Sequence, residues 1–560
     1  MWPFEKKEKP QQRKRETIDK DKLVASAYAL LQEYRSAYAA EWERLDRCEE
    51  MYRGDHWSRI PATDRNEPRP VTPALQSTIE NVSADLMDRM PQAVVQPENP
   101  DDKEIADVVD ALIRQNHDAA NYRREYGKAC HDLLTDGYCV QEVGYDVHAN
   151  RGLGGAFIRY VDCRNILFDP QAEDIQDGRA VIKTAPRTIR WLEQMYPDYQ
   201  GRFTVDEFAP QQDTVLTYDQ TKSVLFIEYW WREYDREAGV YRVHMAQLAG
   251  HILLGDSRDA KPDGYFADGE YPFFVTPLFR RKATALGWGF VDQFGEQQKY
   301  SDKLDQIVLK NALMASHNKL LVTEASGFDV DDLRDWSKEV HRGESLNGVT
   351  WFATPPLPAY VIEYISRIRE NMKDFSGAND FSRGNTTGGV TAAEAINALQ
   401  EMSSKRSRQI SALLYETFKE CVRKEIEIER EYNVLPREVQ LVRDGEQVTA
   451  TFETAMLQRT TVNDVDVPIE FFVSIKVEQE NRWQAQTQNE TVLKMVELQM
   501  LTPEQAVELM VFDGKETVLA KAAEAQQPAG EQQEAAQTQE QQEQLLQQIE
   551  QMPTPETALA

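Results

Sequence analysis

Between residues 23 and 51 apolar side chains return every three or four positions, at Ala27, Leu30, Leu31, Tyr34, Tyr38, Trp42 and Leu45, which predicts an amphipathic helix closing at the segment YRGDHW, 52–57. A second helical pattern runs from Ala74 to Met90 and stops at Pro91. The breaker-rich QPENPDDK (96–103) separates it from a third, through Ile105, Val109, Leu112 and Ile113. The period then shortens. CVQEVGYDV and AFIRYVD, joined by the glycine-rich NRGLGG, predict a hairpin; AVIKTAP, SVLFIEYWWREYD and VYRVHMAQLAGHILLGD continue the strand pattern, with a short helix at TIRWLEQMYP. Residues 256–270 read as a polar loop, so the chain to that point predicts a mixed α and β body.

After Gly289 long helices are expected again. Residues 290–316 contain no proline, and residues 361–376 place Val361, Ile365, Ile368, Met372 and Phe375 at steps of four and three, a stripe suited either to a paired helix or to burial on one side of any fold. Between them, 317–360 is a mixed segment ending in ATPPLPAY. The glycine-rich DFSRGNTTGG precedes Thr391-Ala-Ala-Glu394, a capping box in which Thr391 accepts from the third helical amide and Glu394 reaches back. From Thr391 to Tyr432 neither proline nor glycine occurs, which predicts a rod of roughly 60 Å. EVQLVRDGEQVTATF reads as a hairpin turning at Asp444-Gly445, PIEFFVSIKV as a further strand, and the chain beyond Arg482 as helical. The last stretch, 526–551, is mostly Gln, Glu and Ala with few apolar positions; it is marginal as a lone helix, and either packs on copies of itself or stays disordered.

Composition narrows the function. With 560 residues and 41% apolar content the chain buries substantial cores, and no apolar run is long enough for a membrane span. The first ten residues lack the apolar core of a secretory signal, so assembly in a cytosol without a membrane partner is expected. Five scattered cysteines predict buried or free thiols rather than a disulfide framework or a zinc site. The net charge of −30 opposes tight, extended binding of nucleic acid, which is driven by cations displacing counterions from phosphate. A basic arm at residues 6–15, KKEKPQQRKR, is expected to be a solvated tail.

Catalytic chemistry is not indicated. The Walker phosphate loop, HExxH, GxSxG and EF-hand patterns are missing, the eight histidines do not cluster, and no carboxylate pair stands out by spacing, so no catalytic residue, metal or cofactor is expected. One constellation remains. On a helix over 290–316, Lys299, Lys303, Gln306 and Lys310 project along one line, with His317 just past its end, Asp292 and Glu296 flanking, and Asp302 and Asp305 off it. The line is either a solvated polar face or a file of cations that a ring of subunits would stack into cationic rings.

Several segments together resemble the portal proteins of tailed phages, particularly of the short-tailed type. YRGDHW with RPVTPALQSTIENVSADLMDRMPQAVVQP is similar to the family's opening. FIRYVDCRNILFDPQAEDIQDGRAVIKTAPRTIRWLEQMYP resembles its wing, NTTGGVTAAEAINALQEMSSKRSRQI its tunnel loop and long helix, and VTATFETAMLQRTTVNDVDVPIEFFVSIK the strands before its crown. The resemblance spans most of residues 20–500.

It implies an α+β, mainly helical portal fold with wing, stem, clip and crown regions, assembled as a cyclic ring, usually of twelve subunits. The expected division is a basic flexible arm at 1–21, the wing at 22–289, a stem helix at 290–316 and the clip at 317–360. A second stem helix follows at 361–376, the tunnel loop at 377–391 and a long tunnel and wing helix at 392–437. Strands of the crown base at 438–481, a helical crown at 482–525 and a Gln-rich helical or disordered tail at 526–560 complete it. It further implies a channel at one capsid vertex of the virion, through which terminase packages double-stranded DNA and from which the genome later leaves. Expected partners are the terminase large subunit, a head-completion or tail adaptor, and the major capsid and scaffolding proteins. Channel lining is expected from Lys299, Lys303, Gln306 and Lys310, and a mobile tunnel loop from Arg383, Gly384, Asn385, Thr386, Thr387, Gly388 and Gly389, its root fixed by Thr391 and Glu394. Two rival readings are a neck adaptor or scaffold, and a nuclease or terminase-like ATPase, the latter disfavoured by the missing phosphate loop.

Overall fold

The computed structural model describes residues 20–61, 67–204, 223–236, 238–316, 319–335, 337–352, 355–377, 405–443, 446–460 and 466–477, with 489, 491–496, 498, 505–507 and 510. It is a mixed α+β chain, about half helical, with several small antiparallel sheets. Two compact units divide it: Met1–Leu441 with Thr449–Glu478, and Val442–Val448 with Gln479–Ala560. The first holds the helices and sheets that position the candidate site.

This unit opens with α1 (Lys20–Arg53) and α2 (Ala74–Met87), then β1 (Pro91–Pro97), α3 (Lys103–Ala119), α4 (Tyr122–Thr135), β2 (Tyr138–Tyr145) and β3 (Ala156–Val161). A β-rich stretch comes next: β4 (Ile166–Phe168), β5 (Ala180–Thr188), α5 (Ile189–Met195), β6 (Ser223–Asp235), β7 (Val240–Ala249), β8 (Ile252–Asp256) and β9 (Phe273–Pro277). Strands β4 to β8 form one antiparallel meander in sequence order, and β3-β2-β9 a second sheet. After them stand α6 (Phe290–Ser316), a two-stranded sheet of β10 (Lys319–Val322) and β11 (Val349–Phe352), α7 (Ala359–Ser376), α8 (Lys405–Tyr432), and the strands β12 (Arg437–Arg443) and β13 (Glu446–Phe452), of which residues 442–443 and 446–448 belong to the second unit. The expected rod from Thr391 is described only over α8, and residues 391–404 lie outside the described residues, as do the arm at 1–19 and the Gln-rich stretch.

Burial follows the sequence pattern. In α3, Val109, Leu112 and Ile113 face inward, and α8 turns Ile410, Leu414, Phe418, Cys421, Val422 and Ile426 to the same core. Phe418 stacks on Tyr122 with ring centroids 5.2 Å apart, so α8 is tied to the start of α4 by an aromatic contact. One pairing has no local signal: β14 (Phe471–Val477) runs antiparallel to β1, Ala93 opposite Ile475 and Val95 opposite Val473, joining segments nearly four hundred residues apart. The Val95 amide also donates to Asp110 Oδ1 on α3 at 2.9 Å. All five cysteines are buried and free.

Two glycines set where α6 begins. Gly137 has φ +87°, and a Cβ there would run into the backbone of Trp288; a Cβ on Gly289 would meet the Thr135 carbonyl. Backbones of the α4–β2 turn and the α6 entrance therefore cross at a spacing only glycine permits.

The stripe on α7 is partly as expected: Ile365, Ile368 and Met372 are buried, whereas Phe375 is exposed and Ser376, four residues after Met372, takes the inward position in the last turn before a left-handed Gly377. Replacing Phe418 by alanine is expected to lower the denaturant midpoint by the equivalent of about 3–5 kcal/mol, while Glu416→Ala on the exposed side of α8 changes it by less than about 0.5 kcal/mol. Equilibrium unfolding followed by circular dichroism distinguishes the two.

Candidate nucleic-acid interface

Helix α6 is fixed at its root by charge. Asp292, in its first turn, accepts from the Gly289 amide at 2.9 Å and from Arg44 of α1 at 2.6 Å. Arg44 is buried and fully used: it also donates to Glu41 Oε1 at 2.6 Å and to the Asp136 carbonyl at 2.6 Å, while Glu41 binds Arg281 at 2.7 Å. A buried guanidinium is tolerable only with such partners, so this cluster locks α1, the α4–β2 turn and α6 in one arrangement.

Further along, one face of α6 is a buried polar seam. Gln298, Asp302 and Asp305 lie at steps of four and three. The segment between α1 and α2 covers them. Gln298 accepts from the Leu75 amide at 3.0 Å and donates to the Thr72 carbonyl at 2.6 Å; Asp302 accepts from the Thr72 amide at 3.2 Å and from Gln298 at 3.0 Å. Asp305 accepts from the Thr72 hydroxyl at 2.9 Å and from Arg369 of α7 at 2.5 Å. The Arg369 Nε also donates to Ser301 Oγ at 3.3 Å. These contacts fix the rotation of α6 about its axis.

His56 completes the seam. Its Nδ1 is 2.5 Å from Asp302 Oδ2 and its Nε2 2.9 Å from the Met51 carbonyl. A carboxylate and a carbonyl both accept, so with Asp302 ionised the pair of contacts favours the imidazolium, whose two nitrogens both donate. Burial opposes that charge, but the hydrogen bond and charge of Asp302 outweigh it and raise the His56 pKa above its ordinary value.

About a third of a turn around the helix from the seam stand the predicted cations. Lys299 is half-exposed and pairs with Glu296 at 2.7 Å, so its charge is compensated near the root. Lys303 and Lys310 are exposed and have no ion-pair partner among the described residues; Lys303 lies 6.0 Å from the Tyr300 ring centroid. Gln306, expected on the same line, is turned toward the covering segment and donates to the Pro68 carbonyl at 2.8 Å. Asp292 faces inward rather than flanking the cations. Exposed Tyr300, Ile307 and Met314 interleave with the lysines, and Tyr360, Ile362 and Tyr364 are exposed on α7. His317, Arg383, Gly384, Asn385, Thr386, Thr387, Gly388, Gly389, Thr391 and Glu394 lie outside the described residues.

Elsewhere, Asp132, Asp136 and Cys163 bring potential ligand atoms within 4.8 Å of one another. Asp132 is already engaged by His131 and the Tyr160 hydroxyl, and Cys163 faces the Tyr138 carbonyl, so protein donors and acceptors occupy the cluster. Burial, then the charge of Asp132, pushes Asp136 up to about 8.

Pattern reading missed His56, Thr72 and Arg369 because their partners are distant in sequence. A signal existed in α6 itself: three hydrogen-bonding side chains, Gln298, Asp302 and Asp305, repeat at helical spacing about a third of a turn from the lysines. The His56–Asp302 contact has a definite pH signature. Since the folded pKa is raised, its contribution is complete below the unfolded value of about 6.5 and declines as pH rises through the folded value. The stability difference between the native chain and His56→Gln is therefore expected to be about 1.5–3 kcal/mol at pH 6 and smaller at pH 9, read from urea unfolding at both pH values.

Compared with protein families, residues 29–264 and 308–559 match the family described as Phage P22-like portal protein; the first two thirds of α6 fall between the matched spans. No curated protein matches the chain. Among the described residues no helix is long and apolar enough to cross a membrane. The matched spans make up most of the chain, the family is structural rather than catalytic, and the protein is thus a member of the P22-like phage portal family, not an enzyme.

Proposed function

We propose that copies of this chain, twelve in number, close into a ring at one vertex of a phage capsid and form the channel through which the genome enters and leaves. The family match over two long spans carries this reading. Support also comes from α6 and α7, which leave Tyr300, Ile307, Tyr360, Ile362 and Tyr364 exposed in the single chain; large apolar side chains in such number on adjacent helices suit burial against a neighbouring subunit. In the ring α6 and α7 are the stem. The segment 317–360, with Leu321, Leu346 and Trp351 exposed on and beside its two-stranded sheet, is the clip that meets the terminase large subunit and later the tail adaptor. In the virion the ring also contacts the major capsid protein and, during assembly, the scaffolding protein.

Double-stranded DNA is a transient guest, not a ligand. At a salt slope of about 0.9 per neutralised phosphate, one tight contact from each of twelve subunits would hold the duplex too firmly to slide. A chain of net charge −30 avoids that, and Lys303 and Lys310 supply enough positive charge to centre the duplex. Residues 377–391 form the tunnel loop, whose Gly388 and Gly389 permit reshaping while Thr391 and Glu394 cap the helix behind it.

Two substitutions test the assignment. Lys303→Glu with Lys310→Glu is expected to leave rings intact in electron micrographs while lowering DNA retention at least about tenfold in a packaging assay. Loss of the rings instead would put those lysines themselves in the subunit interface, beside Ile307. Gly388→Val with Gly389→Val is expected to preserve assembly and impair genome packaging, and unchanged packaging would remove the loop from the translocation pathway.

A further inference from the structure

Apart from the α6 seam, a cleft of about 1330 Å³ opens between α8, β9, β14 and the turn at 173–176. Nine carboxylates line it against four cations, two of which, Lys424 and Arg430, are already paired with Asp268 and Glu427 at 2.6 Å. The surplus is unfavourable as it stands. Burial, followed by the charge of Asp268, raises the pKa of Glu270; burial, followed by Asp174 and Glu270, raises that of Glu420. Carboxylates in this condition gain from any cation that reaches them. The floor is apolar, with Phe274, Leu278 and Ile426 along it and Phe472 exposed at its edge. The cleft therefore suits a segment combining aromatic side chains with several positive charges.

The chain contains one such segment. Residues 1–15, MWPFEKKEKPQQRKR, begin with Trp2 and Phe4 and continue with Lys6, Lys7, Lys9, Arg13, Lys14 and Arg15 against only two glutamates. Its root lies nearby. Lys20 pairs with Asp259 at 3.0 Å, Lys261 two residues on pairs with Glu431 of α8 at 2.6 Å, and Glu431 accepts from the amide of Ala267, itself in the cleft wall, at 3.4 Å. That relay of side chains is far shorter than the roughly 60 Å which nineteen extended residues span.

We propose that this cleft is the docking site of the chain's own basic arm, with Trp2 and Phe4 against the apolar floor and the lysines and arginines along the carboxylate rim. Docking in cis is favoured by the high effective concentration of a tethered segment. The inference does not require the ring, so it stands or falls separately from the channel.

The test uses the full chain with Gln11→Cys labelled by a thiol-reactive fluorophore, since the five native cysteines are buried. A docked arm gives an anisotropy at low salt at least about twice that in about 1 M NaCl, where ion pairing is screened. The Glu173→Gln, Glu270→Gln, Glu420→Gln variant, whose amides keep the shape of the site, is expected to show the lower value at both salts. Carboxyl-to-amine cross-linking of mixed light and heavy isotope-labelled protein is expected to join Lys6, Lys7 or Lys14 to cleft carboxylates within copies of one isotope. Low anisotropy under every condition overturns the proposal, and so do cross-links of which about half join light to heavy copies, the share that random pairing of copies gives and that assigns the cleft to a neighbour's arm.

Discussion

The orientation of α6 depends on compensated buried charge. Arg44 holds Asp292 at the root, and His56 and Arg369 hold Asp302 and Asp305 along its length. Each carboxylate would be costly to bury alone, and each cation likewise, so the set tolerates one geometry and penalises rotations that break it. An apolar seam would bury comparable area with less directional preference. Because the polar seam consumes one face of the helix, the face bearing Lys303 and Lys310 is presented outward by default rather than by any contact of its own.

Sequence periodicity was enough for the locally determined elements. The helix expected over 290–316 spans those residues, α1 extends the expected pattern by a turn at the start, and β5 through β8 fall on the strand pattern read in AVIKTAP through HILLGD. Pairings between distant segments were not legible: no local pattern says that β1 faces β14 or that Thr72 caps the polar face of α6, because those contacts are set by topology. The fate of single residues on a correctly placed helix was also partly hidden. Angular position alone put Gln306 with the lysines, yet the segment at 67–72 covers its edge of the helix and takes its amide. Phe375 continued an apolar stripe by spacing, yet the buried line steps four residues from Met372 to Ser376 and leaves the ring outside.

Electrostatics works in two opposite senses across the molecule. Inside, charges are paired closely and fix elements against one another, as at Arg44 or at Lys424, which lies 4.0 Å over the Phe266 ring while binding Asp268. Outside, an excess of carboxylates keeps the surface repulsive toward polyanions. On the proposed channel reading, an acidic chain with sparse, exposed lysines on a rigidly held helix would enclose DNA without gripping it, the seam supplying rigidity and the thinly charged lysine face a weak attraction.

Cryo-electron microscopy of the purified full chain, averaged down the particle axis, tests this most directly. The account predicts a closed ring with an axial opening wide enough for duplex DNA and with Lys303 and Lys310 of every subunit facing that opening. Compact monomers at all concentrations, or a ring in which those two lysines are sealed between subunits, would contradict it.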